Sequence, residues 1–556
     1  MNQDLRRTLD RITNILWGGG VTNPVTYIEQ ISYLIYLKLL DEEESNRELR
    51  ARLISGKGGG NGNGKFLFSR QAERFRWSKW RFKSGTDLRD FLRDEVFPYM
   101  ASLVKEEPAI AEYFRDAVLE IHDPNVLKQV VDEIDAIEFN KLGTDVKGDI
   151  FEYLLTHLGQ SALNGQFRTP RQIRTMMVQM LDPDLGDTIY DPACGTGGFL
   201  IDVIEHILAK YSGDPHEVPI YGEEWLETRG LAIQDAKKQF PNLQTYRKGP
   251  GEKLPNWGIL EHSIYGIDVS RQMIRIAMMN LVLHGVRHAS VKRANALSEL
   301  GGLTEDDLAR KYKVILSNPP FAGVLPKESI RADLPTTSKK SEFLFLGVMM
   351  QALAPGGCCA VIVPEGLLFG STSAHLELRK KLVEDFELLA IVSLPPGVFK
   401  PYAGVKTGVI VFGKHENASP IKKKNTKKVW FFDIATDGYD PDKITGGGRP
   451  ETPDRNDIPE LLRLWNIYKK SKFLTPPGLE TGTVIPVGGT APMCWWASIQ
   501  SIREKDYNLA AGPYRPQVAE VVPEGDPIQL IDEVLEIDRE LTNSLQQLQQ
   551  EIIKCR

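Results

Sequence analysis

Between residues 147 and 415 the chain alternates short apolar runs with helical stretches, a texture that few architectures accept. The runs are DTIYDPACG, SIYGIDVS, YKVILSNPP, CCAVIVPEG, ELLAIVSLP and GVIVFG. A strand covered on both faces reads as a nearly continuous apolar segment. Strands separated by helices build a mostly parallel sheet flanked by those helices. The expected fold class is therefore α/β. Ligands in such folds bind beyond the carboxyl ends of the strands, where the Gly- and Pro-rich tips of these runs lie.

The flanks differ from this centre. From about residue 3 to 140 the pattern is helical, and in YIEQISYLIYLKLLDEEE (27–44) Ile28, Ile31, Leu34, Ile35 and Leu39 share one broad face. SGKGGGNGNGK (55–65) interrupts it, because so many glycines hold a helix only at high entropic cost. It reads as a surface loop; a phosphate-gripping loop would need a flanking strand and helix. Residues 416–428, ENASPIKKKNTKK, make a basic loop before the short strand VWFFDIA, either simply solvated or in contact with phosphate. Near the end, Val534, Ile537, Leu541, Leu545, Leu548 and Ile552 recur at spacings of three and four. That is an amphipathic helix needing cover, from its own domain or from a partner. The expected division is a helical domain (1–140), the α/β domain (141–440) and a C-terminal region with a helical tail (441–556).

A chain of 556 residues exceeds what one hydrophobic core usually supports. Its five cysteines, Cys194, Cys358, Cys359, Cys494 and Cys555, form no CxxC pair and no Cys/His set at zinc spacing. A reduced, metal-free, cytoplasmic protein is expected. The opening MNQDLRRTLDRI lacks a signal-peptide core, and no run of ~18 apolar residues occurs, so no membrane contact is expected. The net charge of −6 is informative, since proteins that grip nucleic acid alone usually carry a basic excess. Any such grip is local, or a partner supplies it.

Two motifs carry chemistry. DPACGTGGF (191–199) follows the apolar strand TIY and precedes the helical run FLIDVIEHILAK. A glycine turn there lets backbone approach a ligand, and Asp191 at its start can receive an amino group. The acid precedes the glycines, unlike the dinucleotide pattern GxGxxG, so the turn suits a ligand with a charged amino-acid part. NPPF (318–321) stands just past the strand YKVILS. The amide oxygen of Asn318 and the carbonyl of Pro319 can accept both hydrogens of an exocyclic amino group, favouring a nitrogen whose lone pair points at an electrophile. Pro319 and Pro320 restrict the backbone so that the carbonyl stays aimed, and Phe321 can stack on the base. A C5-directed attack on cytosine would need a cysteine on a Pro-Cys loop, and no Pro-Cys dipeptide occurs. Cys194 reads as a small residue packed under the loop, and His284 as a helix end.

DPACGTGGF and NPPF resemble the cofactor and catalytic motifs of amino-methylating DNA methyltransferases. GQFRTP (165–170), upstream of both, resembles the segment that lies over the methionine part of the cofactor, which matches the motif order of the gamma group of adenine-N6 enzymes. YGIDVSRQMIRIAMMNLVLHGV (265–286) and the helical first 140 residues are similar to type I modification subunits. The resemblance implies a Rossmann-like methyltransferase domain that uses S-adenosyl-L-methionine to methylate adenine N6 in DNA. The cofactor would be held by Gln166, Phe167, Thr169, Asp191, Ala193, Gly195, Thr196, Gly197, Asp268, Val269, Asn295 and Ala296, with Asp268 on the ribose hydroxyls. It also implies an assembly of two modification subunits with one specificity subunit that reads the DNA, and in some cases a restriction subunit. The sequence departs from the pattern in two places. Asn295 stands where aspartate is common, and the long spacing between Gly197 and Asp268 leaves Glu223 of IYGEEW as a rival acid.

Two other functions fit parts of the chain. Enzymes that methylate protein glutamine or RNA guanine also use an NPP-aromatic loop. A methyltransferase fold can also serve as a scaffold or DNA clamp without turnover.

Overall fold

The computed structural model describes residues 3–55, 67–139, 144–160, 169–212, 257–286, 288–299, 301–321, 323–336, 338–400, 404–416, 428–440, 449–471 and 493–516, together with residues 142 and 443 and a few positions between 531 and 542. The glycine-rich segment, most of the basic loop, Gln166, Phe167, Glu223 and most of the amphipathic tail lie outside the described residues. No helix among the described residues is long and apolar enough to cross a membrane.

The N-terminal part is built on helices α1 (Gln3–Gly18), α2 (Pro24–Ser55) and α3 (Pro124–Asp135), with short helices between α2 and α3. Asp123 caps α3 by accepting from the Asn125 N–H, and Pro124 occupies a first-turn position where no amide hydrogen is needed. The apolar face of α2 is wider than its period suggests: Tyr33, Tyr36, Leu37 and Leu40 are buried along with Ile28, Ile31, Leu34 and Ile35. Even Lys38 of α2 is buried, and it donates to the carbonyls of Ile134, Asp135 and Ile137 at the end of α3, where a cation meets the negative pole of the helix. Helix α4 (Thr144–Gln160) adds Ile150, Phe151, Leu154 and Leu155 to the same core.

Helices α5 (Arg171–Leu181) and α6 (Gly198–Ser212) then lead into a nine-stranded sheet. The strands are β1 (Ile189–Asp191), β2 (Ile264–Asp268), β3 (Ser290–Arg293), β4 (Tyr312–Ser317), β5 (Leu353–Pro364), β6 (Glu387–Ser393), β7 (Thr407–Gly413) and β8 (Lys428–Asp433). After these come β9 (Asp437–Tyr439) and β10 (Glu451–Asn456), which form a separate ribbon, and β11 (Cys494–Ser498). The main sheet runs β11-β8-β6-β7-β5-β4-β1-β2-β3. Helices α5, α6, α7 (Arg271–Leu283) and α10 (Ile458–Lys470) cover one face; α8 (Ser341–Ala352) and α9 (Ser373–Glu384) cover the other. The double cover explains the continuous apolar runs; every residue of β7 is buried.

Most strand pairs are parallel, but β7 runs antiparallel to both β5 and β6. The segment 394–406 that joins β6 to β7 has no helical pattern to carry a parallel return. The chain beyond 440 is not separate from the sheet, since β11 pairs with β8 over Cys494–Ser498. The chain moves from β1 to β2 and β3 in one direction, and β4 and β5 lie in the other. The order reverses between β1 and β4, and the crevice at such a reversal is where α/β folds bind ligands.

Candidate active site

The two sequence motifs leave neighbouring strands at that reversal. Asp191 is the last residue of β1, and Asn318 follows Ser317 at the end of β4. The Ser317 hydroxyl donates to Asp191 Oδ1 at 2.7 Å, and the Ala193 N–H donates to the same oxygen at 3.0 Å. Asp191 is 1% exposed, and burial pushes its carboxyl up to about 7 against the pull of these two donors.

The loop after β1 turns at Gly195 (φ +52°) and Gly197 (φ +80°), left-handed conformations that favour glycine. It is anchored to β2, since the Cys194 N–H donates to the Ile267 carbonyl and the Gly195 N–H donates to Asp268 Oδ2 at 3.1 Å. Asp268 Oδ1 accepts from the Ser270 N–H at 2.8 Å. Each carboxylate oxygen thus holds one backbone amide at the mouth of the crevice, and burial raises the carboxyl above its ordinary range. Val269 beside it is 58% exposed. Cys194 lies buried beneath the loop, where burial holds its thiol well above the usual range and so disfavours the thiolate.

On the far side of Asn318 stands Thr169, the one of the three residues expected from GQFRTP (Gln166, Phe167 and Thr169) that lies among the described residues. Asn318 Nδ2 donates to Thr169 Oγ1 at 3.0 Å. The Thr169 carbonyl accepts from Arg174, which also grips both oxygens of Asp202 across a buried ion pair. With its nitrogen committed to Thr169, Asn318 keeps Oδ1 as a buried acceptor that has no partner among the described residues. Phe321, half-buried, packs against the α5–α6 side of the core. The turn is fastened from behind, because the Ser341 hydroxyl donates to the Pro320 carbonyl and accepts from the Gly323 N–H, each at 3.0 Å.

Hydrogen bonds therefore pair Asn318 with Thr169, Ala193 with Asp191 and Gly195 with Asp268. Asn295 and Ala296 sit one strand further out, on the loop after β3. Asn295 Oδ1 accepts from the Leu297 N–H, and Ala296 is buried with its carbonyl taken by Arg331. Sequence reasoning missed Ser317, Arg174, Asp202, Arg331 and Ser341. Ser317 alone had a signal, its place before NPPF. A cleft lined by Tyr190, Tyr265, Tyr312, Lys292, Asp307 and Arg331 includes no residue of GQFRTP, DPACGTGGF or NPPF.

His284 does end α7, but it is buried, with Nδ1 on the Asn280 carbonyl. Among the described residues no group of three or more His, Cys, Asp or Glu is placed to hold a metal ion.

Comparison with known proteins bears on the family and the fold. The family profile described as N-6 DNA Methylase matches residues 142–233 and 255–521, and that described as HsdM N-terminal domain matches residues 5–134. The methylase subunit of the type I restriction enzyme EcoEI from Escherichia coli is 29% identical over 429 residues, spanning 75% of this chain and 74% of that one. The EcoKI methylase subunit from E. coli K12 is 24% identical over 448 residues, or 78% of this chain and 72% of its own. In fold, the type I restriction-modification methyltransferase subunit from Streptococcus thermophilus matches with a TM-score of 0.62 at 18% identity, covering 92% of this chain and 99% of that one. The chain belongs to the N-6 DNA methylase family and, within it, to the methylase subunits of type I restriction-modification systems.

Proposed function

We propose that this chain methylates adenine N6 in DNA with S-adenosyl-L-methionine as cofactor, working as a modification subunit beside a specificity subunit. The observation that carries the reading is Asn318, whose amide nitrogen is held by Thr169 while its buried oxygen has no partner among the described residues. A buried acceptor left unpaired costs ~1–3 kcal/mol, and a base amino group entering the crevice would satisfy it. Accepting that hydrogen turns the amino nitrogen toward a more nucleophilic geometry, with the Pro319 carbonyl as the second acceptor. Phe321 provides a face for a base that has left the duplex.

The residues at the ends of β1 and β2 fit the cofactor. Asp191 offers a carboxylate to its amino group, Asp268 to its ribose hydroxyls, and the turn at Gly195 and Gly197 gives backbone access. The bound cofactor supplies an electrophilic methyl group. No covalent nucleophile is required, and the proton released by the amino nitrogen leaves to solvent after transfer.

The test is transfer of label from radiolabelled S-adenosylmethionine to DNA, with and without the co-encoded specificity subunit. Label on adenine N6 that needs the partner and is lost in Asn318→Ala is the expected result. Label without any partner removes the subunit assignment, and cofactor binding with no label on any DNA removes the enzymatic one.

A further inference from the structure

The helix α7 belongs to two cores at once. Ile274, Ala277 and Leu281 pack into the sheet side, while Met273, Ile276, Met279 and Leu283 lie in the core of the helical domain. The same helix holds the cofactor turn. Asn280, fully buried, donates from Nδ2 to the Thr196 carbonyl at 3.1 Å. A Cβ at Gly197 would stand 3.3 Å from that of Ala277. The Ser270 hydroxyl caps the helix and the Ser270 N–H donates to Asp268.

The opposite face is pinned by the helical domain. Arg275 pairs with Glu29 of α2, each side chain 7% exposed, and also donates to the Arg115 carbonyl. Tyr33 donates to the same Glu29 oxygen at 3.0 Å, and Arg271 reaches Asp116 and the Arg115 carbonyl.

We propose that the helical domain is part of the cofactor site: Glu29 and Arg275 are positioning residues that seat α7, and α7 through Asn280 sets the turn at residues 195–197. Any partner or DNA contact that shifts the helical domain then changes cofactor affinity, and cofactor binding reciprocally favours the seated arrangement. The inference rests on the cofactor reading above.

The experiment is calorimetric titration of the full chain with S-adenosyl-L-homocysteine, alongside thermal unfolding. Two variants test the link from either end: the pair Glu29→Gln/Arg275→Met, which strands neither charge alone in the interior, and Asn280→Leu, which leaves the ion pair intact. Each should weaken binding on the order of tenfold, a common size for coupling between sites, and raise the KM for the methyl donor by more than kcat falls. Arg275→Lys, which keeps a cation beside Glu29, should recover part of the loss. A purely structural role would lower the unfolding temperature and leave the affinity of the folded protein unchanged. Parent-like affinity in Asn280→Leu and in the pair, where it folds, overturns the proposal. Asp268→Ala separates the two readings: if it too binds as the parent does, the cofactor assignment is what fails.

Discussion

Asp191 shows how much one side chain's surroundings determine. Its carboxyl is pushed up to about 7, above an ordinary value of 3.8, chiefly by burial and to a lesser extent by the nearby Asp268. Between those two values the folded protein keeps a proton that the unfolded chain has lost, so this residue's contribution to stability is full below the lower value and is lost as pH rises through 7. A cationic amino group beside the carboxyl acts in the opposite direction, because it favours the ionised form. Affinity for S-adenosyl-L-homocysteine should therefore rise between pH 6 and 8, with proton release at pH 6 seen as a binding enthalpy that changes with the buffer. Asp191→Asn should flatten both effects; an unchanged slope in that variant would remove Asp191 from the amino-group site. The motif made Asp191 visible in the sequence, because an acid before a glycine turn is a local pattern. Its burial was not visible, since Ser317 and Asp268 arrive from other strands.

At the scale of the element, the turn between β1 and α6 separates two roles of glycine. Gly195 and Gly197 both have positive φ, but a Cβ at Gly195 would meet nothing within 4 Å, whereas one at Gly197 would press on Ala277. Gly195→Ala should then cost only the conformational penalty, ~1–2 kcal/mol. Gly197→Ala should cost more, because α7 must shift as well. Denaturant unfolding measures the difference; equal losses would mean that α7 does not bear on the turn. The central strands and the turns that follow β1 and β4 were legible as apolar runs with glycine and proline at their ends; the strand order, and the strands β3, β9, β10 and β11, were not. What stayed hidden were contacts between elements far apart in sequence. The Arg174–Asp202 pair that steadies Thr169 and the Arg275–Glu29 pair across the two cores have no periodicity to announce them. The antiparallel β7 was equally hidden, because a buried strand reads the same in either direction.

At the scale of the molecule, the helical domain and the sheet share a helix, since α7 lies in the cores of both, so the acidic balance of the chain has to be read as that of one body. A net charge of −6 gives little general attraction for DNA, which agrees with a grip assembled from several chains. The tail carries the matching signal. Of its positions, Ile531 and Leu535 are helical and stand 59% and 49% exposed, and the pattern that continues through Val534, Ile537, Leu541, Leu545, Leu548 and Ile552 is apolar at coiled-coil spacing. A helix with that stripe is stabilised mainly by what covers it. Deleting residues 528–556 should therefore abolish co-purification with the specificity subunit. The affinity for S-adenosyl-L-homocysteine should stay at the parent value, because the residues that hold Asp191, Asp268 and the glycine turn all come from earlier in the chain. Co-purification that survives the deletion would assign the stripe to this chain's own surface, and a loss of cofactor affinity would mean that the tail folds back on the catalytic half.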